Sequence, residues 1–127
     1  MVIAIVGSRD GLAWGAVKKA IGILVARQDV GLVVSGGALG VDRLAESLAL
    51  AAGKKTHVIR ADWANLGRSA GFQRNVTIVD MADEVHAFWN GKSKGTAHTI
   101  GAAKRKRKPV IVYKLPAHPQ TTKEDSE

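Results

Sequence analysis

Short, wholly apolar runs alternate along this chain with segments whose apolar residues recur every three to four positions. Val2-Ile3-Ala4-Ile5-Val6 is continuous, as expected of a strand buried on both faces. The next segment puts Val17, Ala20, Ile21, Leu24 and Val25 on one helical face. Leu32-Val33-Val34 predicts a second strand. Val41, Leu44, Ala45, Leu48, Ala49 and Ala52 form a second helical stripe, and Gly53 fits its C-terminal stop. His57-Val58-Ile59 predicts a third strand, residues 69–81 a helix of weaker periodicity, and Glu84-Val85-His86-Ala87-Phe88-Trp89 a fourth strand. Residues 96–107 predict a fourth helix that Pro109 ends, and Val110-Ile111-Val112-Tyr113 a fifth strand.

Five strands alternating with four helices predict an α/β domain: an open, mostly parallel five-stranded sheet with helices on both faces. The domain is expected over residues 1–113. Residues 114–127, with two prolines and many polar residues, are expected to form a poorly ordered tail. No repeat or second domain is evident. In such sheets ligands bind beyond the carboxyl ends of the strands, where the strand order reverses. The segments that follow the strands are therefore the informative ones.

After the first strand comes Gly7-Ser8-Arg9-Asp10. Gly7 permits a tight turn, Ser8 offers a hydroxyl, and Arg9 a fork suited to phosphate. The plainer alternative is a turn in which Asp10 caps the next helix. After the second strand comes Ser35-Gly36-Gly37-Ala38-Leu39-Gly40-Val41-Asp42, three glycines between a strand and a helix. Backbone N–H groups there can approach an anion, and the helix N-terminus adds positive potential. It is not the dinucleotide fingerprint, because Ser35 replaces the first glycine. Asp42 can accept from ribose hydroxyls or cap the helix.

After the third strand, Asp62 is a second ribose acceptor and Trp63 a surface for a base, although packing is the commoner role of tryptophan. Arg74 and Asn75 are placed to reach a phosphate, or else belong to an ordinary charged surface helix. After the fourth strand, Asn90-Gly91-Lys92-Ser93-Lys94-Gly95-Thr96 opens a helix with glycines, hydroxyls and lysines, a good anion cradle. It is not a Walker loop, since His86 stands where that motif needs its first glycine.

Charge strengthens the anion reading. The 127 residues carry a net charge of +8, which favours phosphate-bearing partners. Five consecutive cations, Lys104-Arg105-Lys106-Arg107-Lys108, end the fourth helix. They complement the helix dipole or make weak nucleic-acid contact. Other chemistry is poorly represented. There is no cysteine, and His57, His86, His98 and His118 lack metal-ligand spacing, so no metal is expected. No serine occupies a G-x-S-x-G elbow. No apolar run nears the roughly 18 residues of a membrane span, and no signal peptide is evident. A cytoplasmic homo-oligomer without a resident cofactor is expected, with a nucleotide-like ligand.

Together, Val6-Gly7-Ser8-Arg9, residues 35–43, Ala61-Asp62-Trp63, residues 67–71, Arg74-Asn75 and Gly91-Lys92-Ser93-Lys94-Gly95-Thr96 resemble the SLOG superfamily, specifically its YspA-type (YpsA-related) branch. The resemblance runs almost to Tyr113. It implies a Rossmann-like fold that binds nucleotides or nucleotide-derived signals. Two better-known relatives point in different directions. The Lonely Guy enzymes cleave the N-glycosidic bond of a nucleoside monophosphate with a Glu three residues after a Gly-Thr pair. Here Gly95-Thr96 leads to Thr99 instead. The DNA-processing protein A group binds single-stranded DNA.

Three functions follow as expectations. The first is a sensor or binding module for an ADP-ribose-like molecule or a nucleoside monophosphate. The second is a phosphoribohydrolase-like enzyme in which Asp42, Glu46 or Asp62 replaces the missing acid. The third is a single-stranded nucleic-acid-binding protein.

Overall fold

The computed structural model describes residues 1–117. Its five strands are β1 (Val2–Gly7), β2 (Leu32–Ser35), β3 (Lys55–Val58), β4 (Glu84–Phe88) and β5 (Val110–Tyr113). They form one sheet in the order β3-β2-β1-β4-β5, and every adjacent pair is parallel. The order reverses between β1 and β4. The helices are α1 (Trp14–Val25), α2 (Val41–Ala51), α3 (Trp63–Leu66), α4 (Ala70–Met81) and α5 (Lys94–Arg105). None of them is long and apolar enough to cross a membrane.

The alternation of side chains along β1 explains its unbroken apolar run. Ile3 and Ile5 pack with Val17, Ile21 and Leu24 of α1 and Val41, Ala45 and Ala49 of α2. Ala4 and Val6 face the other way, toward Ile78 and Val79 of α4 and Ile100, Ala102 and Ala103 of α5. A strand covered on both sides needs apolar residues at every position. Burying each large aliphatic side chain contributes about 1.5–3 kcal/mol, so this strand anchors the domain.

The edges of the elements differ from the sequence reading in informative ways. β3 starts at Lys55, two residues earlier than expected, because it is an edge strand with Lys55 and His57 exposed. An edge strand does not need a continuous apolar run. α3 was not predicted: four residues are too few to show a period, and Asp62 caps them by accepting from the Asn65 N–H at 3.3 Å. α5 begins at Lys94 rather than at residue 96 because the Ser93 hydroxyl caps it through the Thr96 N–H. It also ends earlier, and Arg107 turns out with a positive φ of 57°.

Residues 114–117, expected to open a loose tail, are instead paired. Pro116 bridges Leu12 in antiparallel fashion, Ala13 N–H donates to the Leu115 carbonyl, and Ala117 N–H donates to the Gly11 carbonyl. Leu115 packs on the core beside Tyr113. The remainder of that expected tail, residues 118–127, lies outside the described residues.

Candidate nucleic-acid interface

The loops after β1, β2 and β4 meet at the reversal point, where they surround a cleft of about 230 Å³. Gly7 and Arg9 come from the first loop, Ala38 and Asp42 from the second loop and the start of α2, and Ser93, Gly95 and Thr96 from the start of α5. Arg74 and Asn75 enter from α4. Nine of the residues predicted from sequence thus share one wall. Val6 and Ile78 contribute apolar surface, and Thr99 joins Thr96 one turn further along α5.

A polar lattice fixes this geometry. The Arg74 guanidinium donates to the Gly36 carbonyl at 2.7 Å and to the Asn75 side-chain oxygen at 3.0 Å. Asn75 in turn donates to the Gly95 carbonyl at 3.3 Å, which ties α4 to α5. One Asp42 carboxylate oxygen accepts from the Gly36 N–H at 2.9 Å and from the Ala38 N–H at 3.4 Å. Asp42 neither caps α2 nor stands free. It reaches back and closes the glycine loop. Its carboxyl is 5% exposed, and burial pushes its pKa up to about 6 against the opposing pull of these N–H groups and Arg74.

Other predicted residues shape the loops without lining the cleft. The buried Ser8 hydroxyl accepts from the Asn90 N–H at 3.1 Å. The Asn90 side chain donates to the Asp10 carbonyl and accepts from the Lys92 and Ser93 N–H groups. Asp10 therefore does not cap α1, which starts at Trp14 without a side-chain cap. Ser35 is buried at the end of β2, its hydroxyl unpartnered among the described residues. Gly40, Gly91 and Glu46 also lie off the cleft wall, as do Asp62, which caps α3, and Trp63, whose indole is largely exposed.

Gly37 adopts a φ of +73°, and a Cβ there would stand 2.7 Å from Val58 Cγ1 and 3.1 Å from an Arg60 nitrogen. A larger residue at 37 would strain the backbone and collide with the end of β3.

Two features beside the cleft were not singled out from sequence. Phe72, half exposed on α4, stacks on His98 of α5 with ring centroids 4.2 Å apart. His98 in turn touches the Asn75 amide at 3.4 Å, so the aromatic pair adjoins the cleft wall. Burial, with a smaller push from Arg105, holds the His98 pKa below its ordinary value.

Residues 1–66 match the sequence model of a family described as DNA recombination-mediator protein A. The chain belongs to this family. The Gene 61 protein of Mycobacterium phage D29 is 35% identical over 118 residues, covering 87% of this chain and 94% of that one. Two solved structures of DNA processing protein A share the fold. That from Streptococcus pneumoniae has a TM-score of 0.69 at 24% identity, with 88% of this chain covered. This chain spans 49% of the Streptococcus chain, about half its length. That from Helicobacter pylori has a TM-score of 0.73 at 22% identity, covering 98% of this chain and 70% of its own. The Helicobacter structure is described as revealing a mode of single-stranded DNA binding. Membership in the recombination-mediator family bears out one of the two relatives toward which the motifs point.

Proposed function

We propose that this chain is a single-stranded nucleic-acid-binding module that holds a backbone phosphate in the cleft at the β1–β4 reversal. The observation that carries the reading is the pairing of Arg9 and Arg74 in that cleft with an exposed aromatic stack, Phe72 on His98, at its side. Cations that track phosphates and aromatic faces that accept bases are the two parts of a sequence-tolerant single-strand site. Family membership and the Helicobacter relative support the same choice. The finer placement, in the YspA-type branch, rests on the loop motifs at 7–9, 35–43 and 91–96.

A small nucleotide carries the same phosphate, so a sensor of ADP-ribose or nucleoside monophosphates would use the same wall. Hydrolysis has less support. Thr99 stands where the Lonely Guy enzymes carry their Glu, and Asp42, the one carboxylate lining the cleft among the described residues, is spent on the Gly36 and Ala38 N–H groups.

Fluorescence anisotropy with a labelled oligothymidylate tests the reading. Affinity should fall with salt, with a log–log slope of about −0.7 for each phosphate neutralised. Arg9→Gln should weaken binding and flatten that slope by about 0.7. AMP and ADP-ribose should compete only weakly. Tight AMP binding with no oligonucleotide binding at low salt would return the protein to the sensor reading.

The basic run gives a separate expectation. Lys106 pairs with Asp80 at 2.8 Å, and Lys108 donates to the Asp80 and Ala82 carbonyls at the end of α4. α5 is 12 residues long, so its two ends lie about 18 Å apart at ~1.5 Å per residue. Replacing Lys104, Arg105 and Lys106 with Gln should leave AMP competition unchanged and cost little stability, since exposed ion pairs contribute about 0–1 kcal/mol. Long oligonucleotides should bind more weakly, with a flatter salt slope. Equal loss for AMP and for long strands would place the run at the cleft.

A further inference from the structure

A second cavity, of about 280 Å³, opens at the carboxyl ends of β4 and β5 and is lined by Trp89, Asn90, Gly91, Lys114 and Pro116. It is separated from the cleft by a single loop. Ser93 belongs to both sides of that loop. Its carbonyl accepts from the Trp89 indole N–H at 3.0 Å, while Ser93 itself lines the cleft. The indole is thereby held in one orientation, and Lys114 places its ammonium 5.9 Å from the ring centroid. Trp89 is half-buried, its side chain packed in part on the core, and it also lines the cavity beside this cation.

We propose that this second cavity is a base subsite. It takes one nucleobase of the strand whose phosphate occupies the neighbouring cleft, with the base stacked on Trp89. The inference rests on the phosphate reading of the cleft. Three features favour a base over other occupants. Trp89 supplies a flat aromatic face. The Asn90 side chain is spent on Asp10, Lys92 and Ser93 within its own loop, so it is not free to read base edges. Lys114 carries a positive charge that can leave the ring and meet a phosphate as the base enters. An aromatic face next to a cation stacks any base, since every base has a π-face. The subsite is therefore sequence-tolerant. Pro116, fixed by its bridge to Leu12, forms part of the wall that keeps the base beside the indole.

The test uses the full chain with Trp14→Phe and Trp63→Phe, so that Trp89 is the remaining tryptophan. Its emission is followed as two oligomers of equal length are added, an oligothymidylate and an abasic deoxyribose-phosphate strand. The thymidylate should quench Trp89 and bind roughly 5- to 150-fold more tightly than the abasic strand. The abasic strand should bind without quenching. Trp89→Leu should bring thymidylate affinity down to the abasic value, and Lys114→Gln should flatten the salt slope by about 0.7. If Trp89→Leu does not fold, the quenching comparison alone decides. Abasic and thymidylate strands binding equally, or thymidylate binding with Trp89 emission unchanged, overturns the base subsite and leaves the phosphate cleft intact. A thymidylate preference that survives Trp89→Leu places the base elsewhere and also overturns it. Failure of both strands to bind overturns the cleft reading, and the subsite with it.

Discussion

Gly7→Ala is expected to destabilise the fold by roughly 3 kcal/mol or more, the upper range for overpacking in a filled interior. Gly7 ends β1 at the point where α2 begins. A Cβ there would lie 2.5 Å from the Phe88 carbonyl oxygen and 2.7–2.8 Å from Val41 Cγ2 and Cβ. None of these atoms can swing away. The carbonyl accepts the Ser8 N–H at 3.0 Å, and Val41 is fully buried as the first residue of α2. The methyl can enter only if β1, β4 and α2 separate, and β1 and α2 carry Val6, Gly7 and Asp42 of the cleft lining. Thermal unfolding should show a melting temperature lower by about 10 °C or more, at roughly 4 °C per kcal/mol for a domain of this size. Gly15→Ala is the matched control. It lies in α1 with no atom within 4 Å of its would-be Cβ, and it should be neutral or stabilising by up to about 1 kcal/mol. A Gly7→Ala protein that melts with the parent would mean that β1 and α2 do not approach as closely as they do here.

This glycine also marks where sequence reading stops. Gly7, Gly36 and Gly37 form part of a loop pattern whose missing side chains fit close approach to an anion. The structure divides their work. Gly7 makes room for Val41 and Phe88, Gly36 for Arg74 and Asp42, and Gly37 for Val58 and Arg60. A sequence shows that a Cβ is absent but not what fills its place. The same ambiguity covers Ser8 and Asn90, polar loop residues that bind each other, and Asp62, which caps a helix too short to predict.

The reliable signals were those with a period or a physical direction. Apolar runs located the strands, and their alternation with helices pointed to a parallel sheet whose ligand loops follow the strands. That in turn placed Arg9, Asp42, Arg74, Asn75 and Thr96 on one wall. Thr99 was legible by the same logic, since it follows Thr96 by three positions on α5. The aromatic pair was not, because Phe72 and His98 meet only once α4 packs on α5. The partner was illegible for a chemical reason. A phosphate on a strand and a phosphate on a mononucleotide call for the same arginines, threonines and helix N-termini.

Asp42→Asn is expected to remove a pH dependence from nucleic-acid binding and to raise affinity above about pH 6. Asp42 faces the anion cleft with its carboxyl pushed by burial from 3.8 to about 6. A raised folded-state pKa stabilises the fold fully below the unfolded value, and that contribution disappears as pH rises through about 6. The window therefore runs from about pH 4 to about pH 6, and the difference of about 2 pKa units corresponds to ~3 kcal/mol at most. Asn at this position can still accept from the Gly36 N–H through its amide oxygen, so the loop stays closed without the charge. The variant should match the parent in stability below about pH 4 and exceed it near neutrality. Binding should follow the same group. A phosphate in the cleft repels the ionised carboxylate and raises its pKa further. Parent affinity should then increase as pH falls from that bound-state pKa to about 6, by tenfold in all for each unit of the additional shift, and level off below about 6. Asp42→Asn should bind with the affinity the parent reaches only when protonated, and should hold it from about pH 5 to about pH 8. Anisotropy titrations of both proteins across that range, paired with melts at each pH, separate binding from folding. Parent affinity that stays level while parent stability changes as described would place the phosphate away from Asp42.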